Sequence, residues 1–141
     1  MFEQPVFVSF DYENDKHYKR LLEAWHSNPR FRFVFQDESS SYINSENVGR
    51  VKAALTQKIR GATHTLVIVG RYANQPHPQR ALIGNTNWIN WEIAQSKLAG
   101  NRLVAVKVDR SFDSPSELLG AKASWAMSFT EAAIIQALEI V

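Results

Sequence analysis

Three stretches decide the fold: THTLVIV (63–69), NWINWEIAQSKLA (87–99) and LVAVKV (103–108), which follow one another along the chain. The first and third are short, apolar and rich in β-branched residues, as is typical of strands buried on both faces. The middle stretch has the length of a helix and ends at Gly100-Asn101, a helix C-terminal signal. A strand, a helix and a second buried strand predict a parallel pair joined by a right-handed crossover.

The same alternation extends towards both ends of the chain. We expect further strands at 5–10, 31–35 and 124–129, and further helices at 15–27, between caps at Ser45 and Gly61, and after a cap at Thr130. Of the stretches between them, 70–86 is expected to be irregular and 109–123 irregular or partly helical. This order predicts an α/β fold with a doubly wound, flavodoxin-like parallel sheet of about five strands in the order 2-1-3-4-5. The 141 residues suit a single domain, 1–141, since no linker-like or repeated segment occurs.

Composition excludes several classes of protein. The chain has no cysteine, so disulfide scaffolds, thiolate metal sites and thiol nucleophiles are excluded. A net charge of +2 is too small an excess to predict nucleic-acid binding. Neither a signal peptide nor an apolar run of membrane-spanning length is present, so we expect a soluble cytoplasmic domain without membrane or nucleic-acid partners.

Familiar nucleotide and metal motifs are missing. The six glycines are too far apart for GxGxxG or for a P-loop. No histidines pair at i, i+4, so no metal site is expected, and all four are interpreted as surface or helix residues: His17, His26, His64 and His77. A phosphoacceptor receiver domain shares the predicted architecture, but Gly70-Arg71 stand where its acceptor aspartate would end the third strand.

The segment directly after the first predicted strand is unusually polar and aromatic. Ser9, Phe10, Asp11 and Tyr12 stand there, at the sheet edge where ligands bind in doubly wound folds. An acidic helix start, with Asp11 or Asn14 as its N-cap, explains this composition equally well.

A second unusual segment is WINWE (88–92). Trp88 and Glu92 are i and i+4 on a predicted helix and share one face. A tryptophan beside a carboxylate can stack on an aromatic ligand and position the acid. A helix with interfacial tryptophans and a solvated glutamate is the alternative.

Together these segments resemble a TIR-like domain, of the subgroup close to the Thoeris antiphage sensor and small prokaryotic TIR-like proteins. The resemblance is carried by VFVSFDYENDK (6–16), GATHTLVIVG (61–70) and WINWEIAQSKLAGNRLVAVKV (88–108). The last stretch contains WxxxE, the pattern that carries the catalytic glutamate of NAD-cleaving TIR domains. Residues 71–86 are longer than the usual loop before that glutamate, and the segment after Phe112 matches nothing in the family pattern.

The resemblance implies cleavage of NAD between nicotinamide and ribose, with NAD as the substrate and no cofactor. The product would be ADP-ribose or a cyclic ADP-ribose-type signal. Glu92 would be the catalytic group, because the ribosyl oxocarbenium needs negative charge nearby while nicotinamide leaves without a general acid. The implied substrate-binding residues are Ser9, Phe10, Asp11, Tyr12, Ser39, Ser40 and Trp88, with the two loop serines contacting phosphates or a neighbouring protomer.

The resemblance also implies self-assembly into a homo-oligomer on activation, and a separate effector protein that responds to the product. One alternative is a non-enzymatic TIR module that acts as a scaffold, with Glu92 a surface residue. Another is a nucleoside-processing enzyme such as a deoxyribosyltransferase, which also sets a carboxylate against a ribosyl cation. Release of nicotinamide from NAD discriminates among the three.

Overall fold

The computed structural model describes residues 4–26, 33–36 and 47–140. The strands are β1 (Gln4–Ser9), β2 (Phe33–Gln36), β3 (His64–Val69), β4 (Arg102–Lys107) and β5 (Ser124–Ala126). The helices are α1 (Tyr12–His26), α2 (Val48–Arg60), α3 (Arg80–Ile83), α4 (Trp88–Ala99) and α5 (Glu131–Ile140), with a 3-10 turn over Ser116–Leu118. No helix within these ranges is long and apolar enough to cross a membrane.

The sheet has the order β2-β1-β3-β4-β5, and every neighbouring pair is parallel. This confirms the predicted flavodoxin-like α/β topology. All six residues of β3 are buried, because it is central and helices cover both faces of the sheet. The carboxyl ends of β1 and β3 therefore meet at one edge, where Ser9 is in register with Val67.

Alternating side chains of β1 divide the core between the two faces of the sheet. Val6 and Val8 pack with Leu22 of α1 on one face. Phe7 packs on the other face with Leu55 of α2. In α2 the residues expected on the apolar face, Val51, Leu55 and Ile59, are buried. In α1 Leu22 is fully buried, whereas Leu21, expected on the same apolar face, is 43% exposed.

Capping residues fix both ends of α4 and the start of α5. Asn87 begins α4, because its side chain accepts a hydrogen bond from Asn90 N at 2.9 Å. Gly100 ends α4 with a φ of 77°, a left-handed conformation that favours glycine. Thr130 caps α5 as predicted, since its Oγ1 accepts from Ala133 N.

Three details differ from the predictions. Asn47, and not Ser45, caps α2, because the Asn47 side chain accepts from Arg50 N at 3.1 Å; Ser45 itself lies outside the described residues. The stretch predicted as irregular before α4 contains the short helix α3. His64, expected to be a surface or helix residue, is instead only 1% exposed, because it begins the central strand β3; its Nδ1 lies 2.7 Å from Thr63 Oγ1.

Candidate active site

Glu92 lies in the second turn of α4 with its carboxyl against the end of β1. Ser9 Oγ donates to Glu92 Oε1 at 2.6 Å, and Glu92 is only 1% exposed. Within the described part of the chain, Glu92 Oε2 has no hydrogen-bond partner. The sequence does not reveal this pairing, because it joins positions 83 residues apart and depends on α4 packing across β1.

Burial controls the charge of this carboxyl. Removal from water raises the pKa of Glu92 from 4.5 to about 8, and the hydrogen bond from Ser9 opposes that rise only in part. Glu92 is therefore mostly protonated at pH 7. It becomes an anion at alkaline pH, or when a positive charge enters beside it and lowers its pKa.

A cavity of about 400 Å³ opens at the carboxyl edge of the sheet. Its lining comes from residues 10–14 after β1, from residues 87–89 at the start of α4, and from Tyr72 and residues 75–78 in the loop between β3 and α3. This volume lies within the range of about 300–1,000 Å³ that is typical of small-molecule sites.

The chemistry of the lining is aromatic and acidic. Its aromatic residues are Phe10, Tyr12, Tyr72 and Trp88. Asp11 and Glu13 add two carboxylates, and no described lining residue is a lysine or arginine. Aromatic faces next to carboxylates suit a planar ring that carries positive charge.

The structure brings most of the predicted site residues to this edge. Phe10, Asp11, Tyr12 and Trp88 line the cavity. Ser9 and Glu92 do not line it: Ser9 directly precedes Phe10, and Glu92 lies one turn along α4 from Trp88. Ser39 and Ser40 lie outside the described residues. The roles assigned to these residues stay predictions.

Trp88 links the cavity to the core. Its ring meets Trp91 edge-to-face, with ring centroids 5.6 Å apart. Trp91 is buried against the cluster that contains Phe7 and Leu55. Core packing therefore accounts for Trp91, whereas Trp88, which is half-buried, forms part of the cavity wall.

Asp11 has a structural role in addition to its place in the cavity. Its Oδ1 accepts from Glu13 N at 3.2 Å and Asn14 N at 3.4 Å, and its Oδ2 accepts from Asn14 Nδ2 at 2.7 Å. Asp11 is thus the N-cap of α1, one of the two residues proposed for that role. The cap holds its carboxylate at the cavity edge.

Buried asparagines anchor the long loop before α4. Asn87 Nδ2 donates to Ala73 O at 2.9 Å and to Gln75 O at 3.0 Å. Asn90 Nδ2 donates to Asn74 Oδ1 at 3.0 Å. The extra residues in this loop are therefore a fixed wall of the cavity, tied to the same helix that carries Glu92.

The same asparagines hold the segment that sequence patterns could not place. Asn90 Oδ1 accepts from Glu117 N at 2.9 Å, and Asn74 Oδ1 accepts from Ser116 N at 3.0 Å. Lys97 of α4 pairs with the Glu117 carboxylate at 2.8 Å. The 3-10 turn thus packs on α4 and supports it.

A second buried carboxyl lies on the other face of the sheet. Asp15 is 6% exposed, and its Oδ2 has no hydrogen-bond partner within the described ranges. Burial, and then repulsion from Asp11, raise the pKa of Asp15 to about 6, while His17 lowers it. Gly70, at the end of β3, approaches so closely that a Cβ there would overlap the Asp15 carboxylate.

Gly70→Ala is therefore expected to destabilise the domain by about 1–3 kcal/mol, the usual cost of overpacking. The test is urea denaturation of Gly70→Ala, Asp15→Ala and the double variant. In the Asp15→Ala background the alanine at position 70 should cost far less, because its steric partner is gone. Gly61→Ala is the control, since a Cβ there meets only ordinary contacts. Fully additive costs would contradict the steric account.

A parallel sheet in this order, with a cavity at its carboxyl edge that two carboxylates line, defines a doubly wound, flavodoxin-like α/β domain with a candidate small-molecule site. A prokaryotic SEFIR domain is similar, with 14% identity, coverage of 98% of this chain and 89% of that chain, and a TM-score of 0.53. A 2-deoxyribosyltransferase from Bacillus psychrosaccharolyticus is also similar, with 11% identity, coverage of 92% of this chain and 90% of that chain, and a TM-score of 0.58. A 2-desoxiribosyltransferase from Leishmania mexicana is similar as well, with 9% identity, coverage of 94% of this chain and 95% of that chain, and a TM-score of 0.56. At these identities the likeness shows the fold alone.

Residues 7–113 match the family described as Thoeris protein ThsB, TIR-like domain. The chain belongs to this family, which confirms the resemblance drawn from the sequence. The match ends where the sequence pattern also ended, before the 3-10 turn that supports α4. No curated protein sequence matches the chain significantly.

Proposed function

We propose that this protein cleaves NAD between nicotinamide and ribose, as an enzyme of antiphage defence. The observation that carries the proposal is the buried Glu92 carboxyl, held by Ser9, which directly precedes Phe10 in the lining of an aromatic and acidic cavity. Membership of the Thoeris TIR-like family supports the same role. NAD carries a cationic pyridinium ring, the ligand chemistry that this lining suits.

Charge explains how a protonated carboxyl serves this reaction. A pyridinium entering the cavity places positive charge near Glu92, which lowers its pKa from about 8 and favours loss of its proton to solvent. The carbon–nitrogen bond then breaks, and its electron pair goes to the nicotinamide nitrogen. The Glu92 carboxylate stabilises the ribosyl oxocarbenium that remains. Attack by water gives ADP-ribose, and attack by an adenine nitrogen or a ribose hydroxyl gives a cyclic isomer.

The lining residues take supporting roles in this proposal. Trp88 walls the cavity, and Asp11 and Tyr12 face the nicotinamide and ribose. Phe10, whose ring lies edge-to-face with Tyr12 at 6.4 Å, holds that tyrosine in place. Ser9 orients Glu92 and, by donating a hydrogen bond to it, favours the ionised form.

A scaffold without enzymatic activity is the second candidate. It is favoured by one observation: Glu92 is buried, neutral at pH 7 and absent from the cavity lining, as a purely structural carboxyl would be. A deoxyribosyltransferase is a third candidate, which the shared fold of two such enzymes supports. That reaction also forms a ribosyl cation, so the carboxyl alone does not discriminate.

The proposal includes self-assembly and a separate effector that responds to the product. If a neighbouring protomer completes the cavity, only the assembled fraction is active. Specific activity should then rise with protein concentration. Light scattering on the same samples should show that the degree of assembly rises in parallel.

The test is chromatography of the wild-type protein incubated with NAD over a wide dilution series. The expected result is free nicotinamide together with ADP-ribose or a cyclic isomer. Parallel incubation with a deoxyribonucleoside and a free base identifies a transferase, because only that activity exchanges the base. Intact NAD in an assembled sample would leave the scaffold as the function.

A further inference from the structure

Among the described residues that line the cavity, only His77 has a side chain that can carry a positive charge. It stands in the loop before α4, between Pro76 and Pro78, in the stretch that is longer than the usual TIR loop. None of the chemistry proposed above uses it.

Hydrogen bonds fix the His77 ring and its tautomer. Gln79 N donates to His77 Nδ1 at 2.9 Å, so Nδ1 is an acceptor and the ring proton resides on Nε2. The backbone is held as well, since His77 N donates to Thr86 O at 2.8 Å and Arg80 N donates to His77 O at 3.1 Å. Within the described residues no partner for Nε2 is seen, so this residue of the cavity lining has an N–H donor that a ligand can use.

The surroundings of His77 differ in charge from the rest of the lining. Asp11 and Glu13 make the wall after β1 acidic. Thr86, which accepts the His77 N–H, directly precedes the N-cap of α4, where the helix dipole favours negative charge. Arg80 Nη1 donates to His77 O at 3.3 Å, so a guanidinium contacts the backbone of this loop, although Arg80 itself does not line the cavity. The cavity therefore has an acidic side and a side that favours anions.

We propose that His77 is a substrate-binding residue that donates Nε2–H to the pyrophosphate of a dinucleotide, with the cationic ring held at the acidic side. This inference rests on the proposed function and adds to it an orientation for the substrate. It assigns phosphate recognition to the long loop, and it separates the group that binds phosphate from Glu92.

The test measures ligand binding by calorimetry. It uses the Glu92→Gln protein as the parent, because this protein should not consume NAD. His77→Ala is expected to weaken NAD binding about tenfold or more, the usual effect of losing a hydrogen bond to a charged group. Binding of nicotinamide riboside, which has no phosphate, should change less than about twofold. His77→Gln, which keeps an N–H donor, should recover most of the NAD affinity.

His17→Ala is the matched control, because His17 is exposed on α1 and stacks on Tyr18 outside the cavity. It should bind both ligands as the parent protein does. An equal loss for NAD and nicotinamide riboside in His77→Ala, or no loss for either, would overturn the assignment. Melting curves of each variant separate lost contacts from lost folding.

The outcomes also separate this inference from the proposed function. If NAD binds with the predicted dependence on His77 but is never cleaved by the wild type, the phosphate contact stands and the enzymatic proposal fails. If NAD is cleaved and His77→Ala binds it normally, only the role of His77 is overturned. If the protein does not bind NAD at all, both are overturned.

Discussion

Glu92→Gln is expected to reduce the rate of nicotinamide release at least about thousandfold while the domain stays folded. Glutamine keeps the size of the side chain and can still accept the hydrogen bond from Ser9, but it cannot become an anion. The oxocarbenium would then lose the negative charge that stabilises it. The measurement is the initial rate with NAD at saturating substrate, with circular dichroism to verify the fold.

Glu117→Gln is the matched control for this substitution. Glu117 is also a carboxylate that contacts α4, but it pairs with Lys97 and does not line the cavity. It should retain the wild-type rate within a few-fold. Retention of turnover within a few-fold by Glu92→Gln would show that Glu92 is not the catalytic group.

The second large effect concerns stability and pH. In the unfolded chain Glu92 titrates near its ordinary pKa of 4.5, whereas burial raises the pKa in the folded state to about 8. The folded state therefore holds a proton that the unfolded chain releases between these values, so the free energy of unfolding falls as the pH rises. This contribution is fully present below about pH 4.5 and is lost as the pH passes about 8. Because one pKa unit corresponds to about 1.4 kcal/mol, it reaches several kcal/mol.

Comparison with Glu92→Gln isolates this effect, because glutamine does not titrate. The free energy of unfolding of the variant, relative to wild type, should rise by several kcal/mol between pH 5 and pH 8. Asp15, whose raised pKa acts in the same direction, is present in both proteins and cancels in the comparison. The measurement is urea denaturation followed by tryptophan fluorescence. A stability difference that does not change with pH would mean that Glu92 titrates as an exposed glutamate.

Hydrophobic patterns were sufficient for the fold. The run THTLVIV predicted the central strand, because a short, largely apolar and β-branched run is typical of a strand that is buried on both faces. The connection rules for parallel sheets then predicted the strand order. His64 shows where such reasoning fails: a polar residue at the start of a central strand is buried by its neighbours, whatever its own preference.

The site was predictable only in part. The position of residues 10–12 followed from the topology, because the carboxyl ends of parallel strands meet at one edge. The contact between Ser9 and Glu92 was not predictable, since it depends on the packing of α4 across β1. The anchoring of the loop by Asn87 and Asn90 was equally hidden, because these side chains look like an ordinary polar helix face in sequence.

The initial rate of nicotinamide release from NAD, measured on concentrated wild-type protein between pH 5 and pH 9, tests the central claim most directly. If a buried carboxyl must ionise to stabilise the oxocarbenium, kcat/KM for nicotinamide release should rise about tenfold per pH unit and level off near pH 8. Folded, concentrated protein that releases no nicotinamide at any pH in this range would contradict the claim that Glu92 and its cavity cleave NAD.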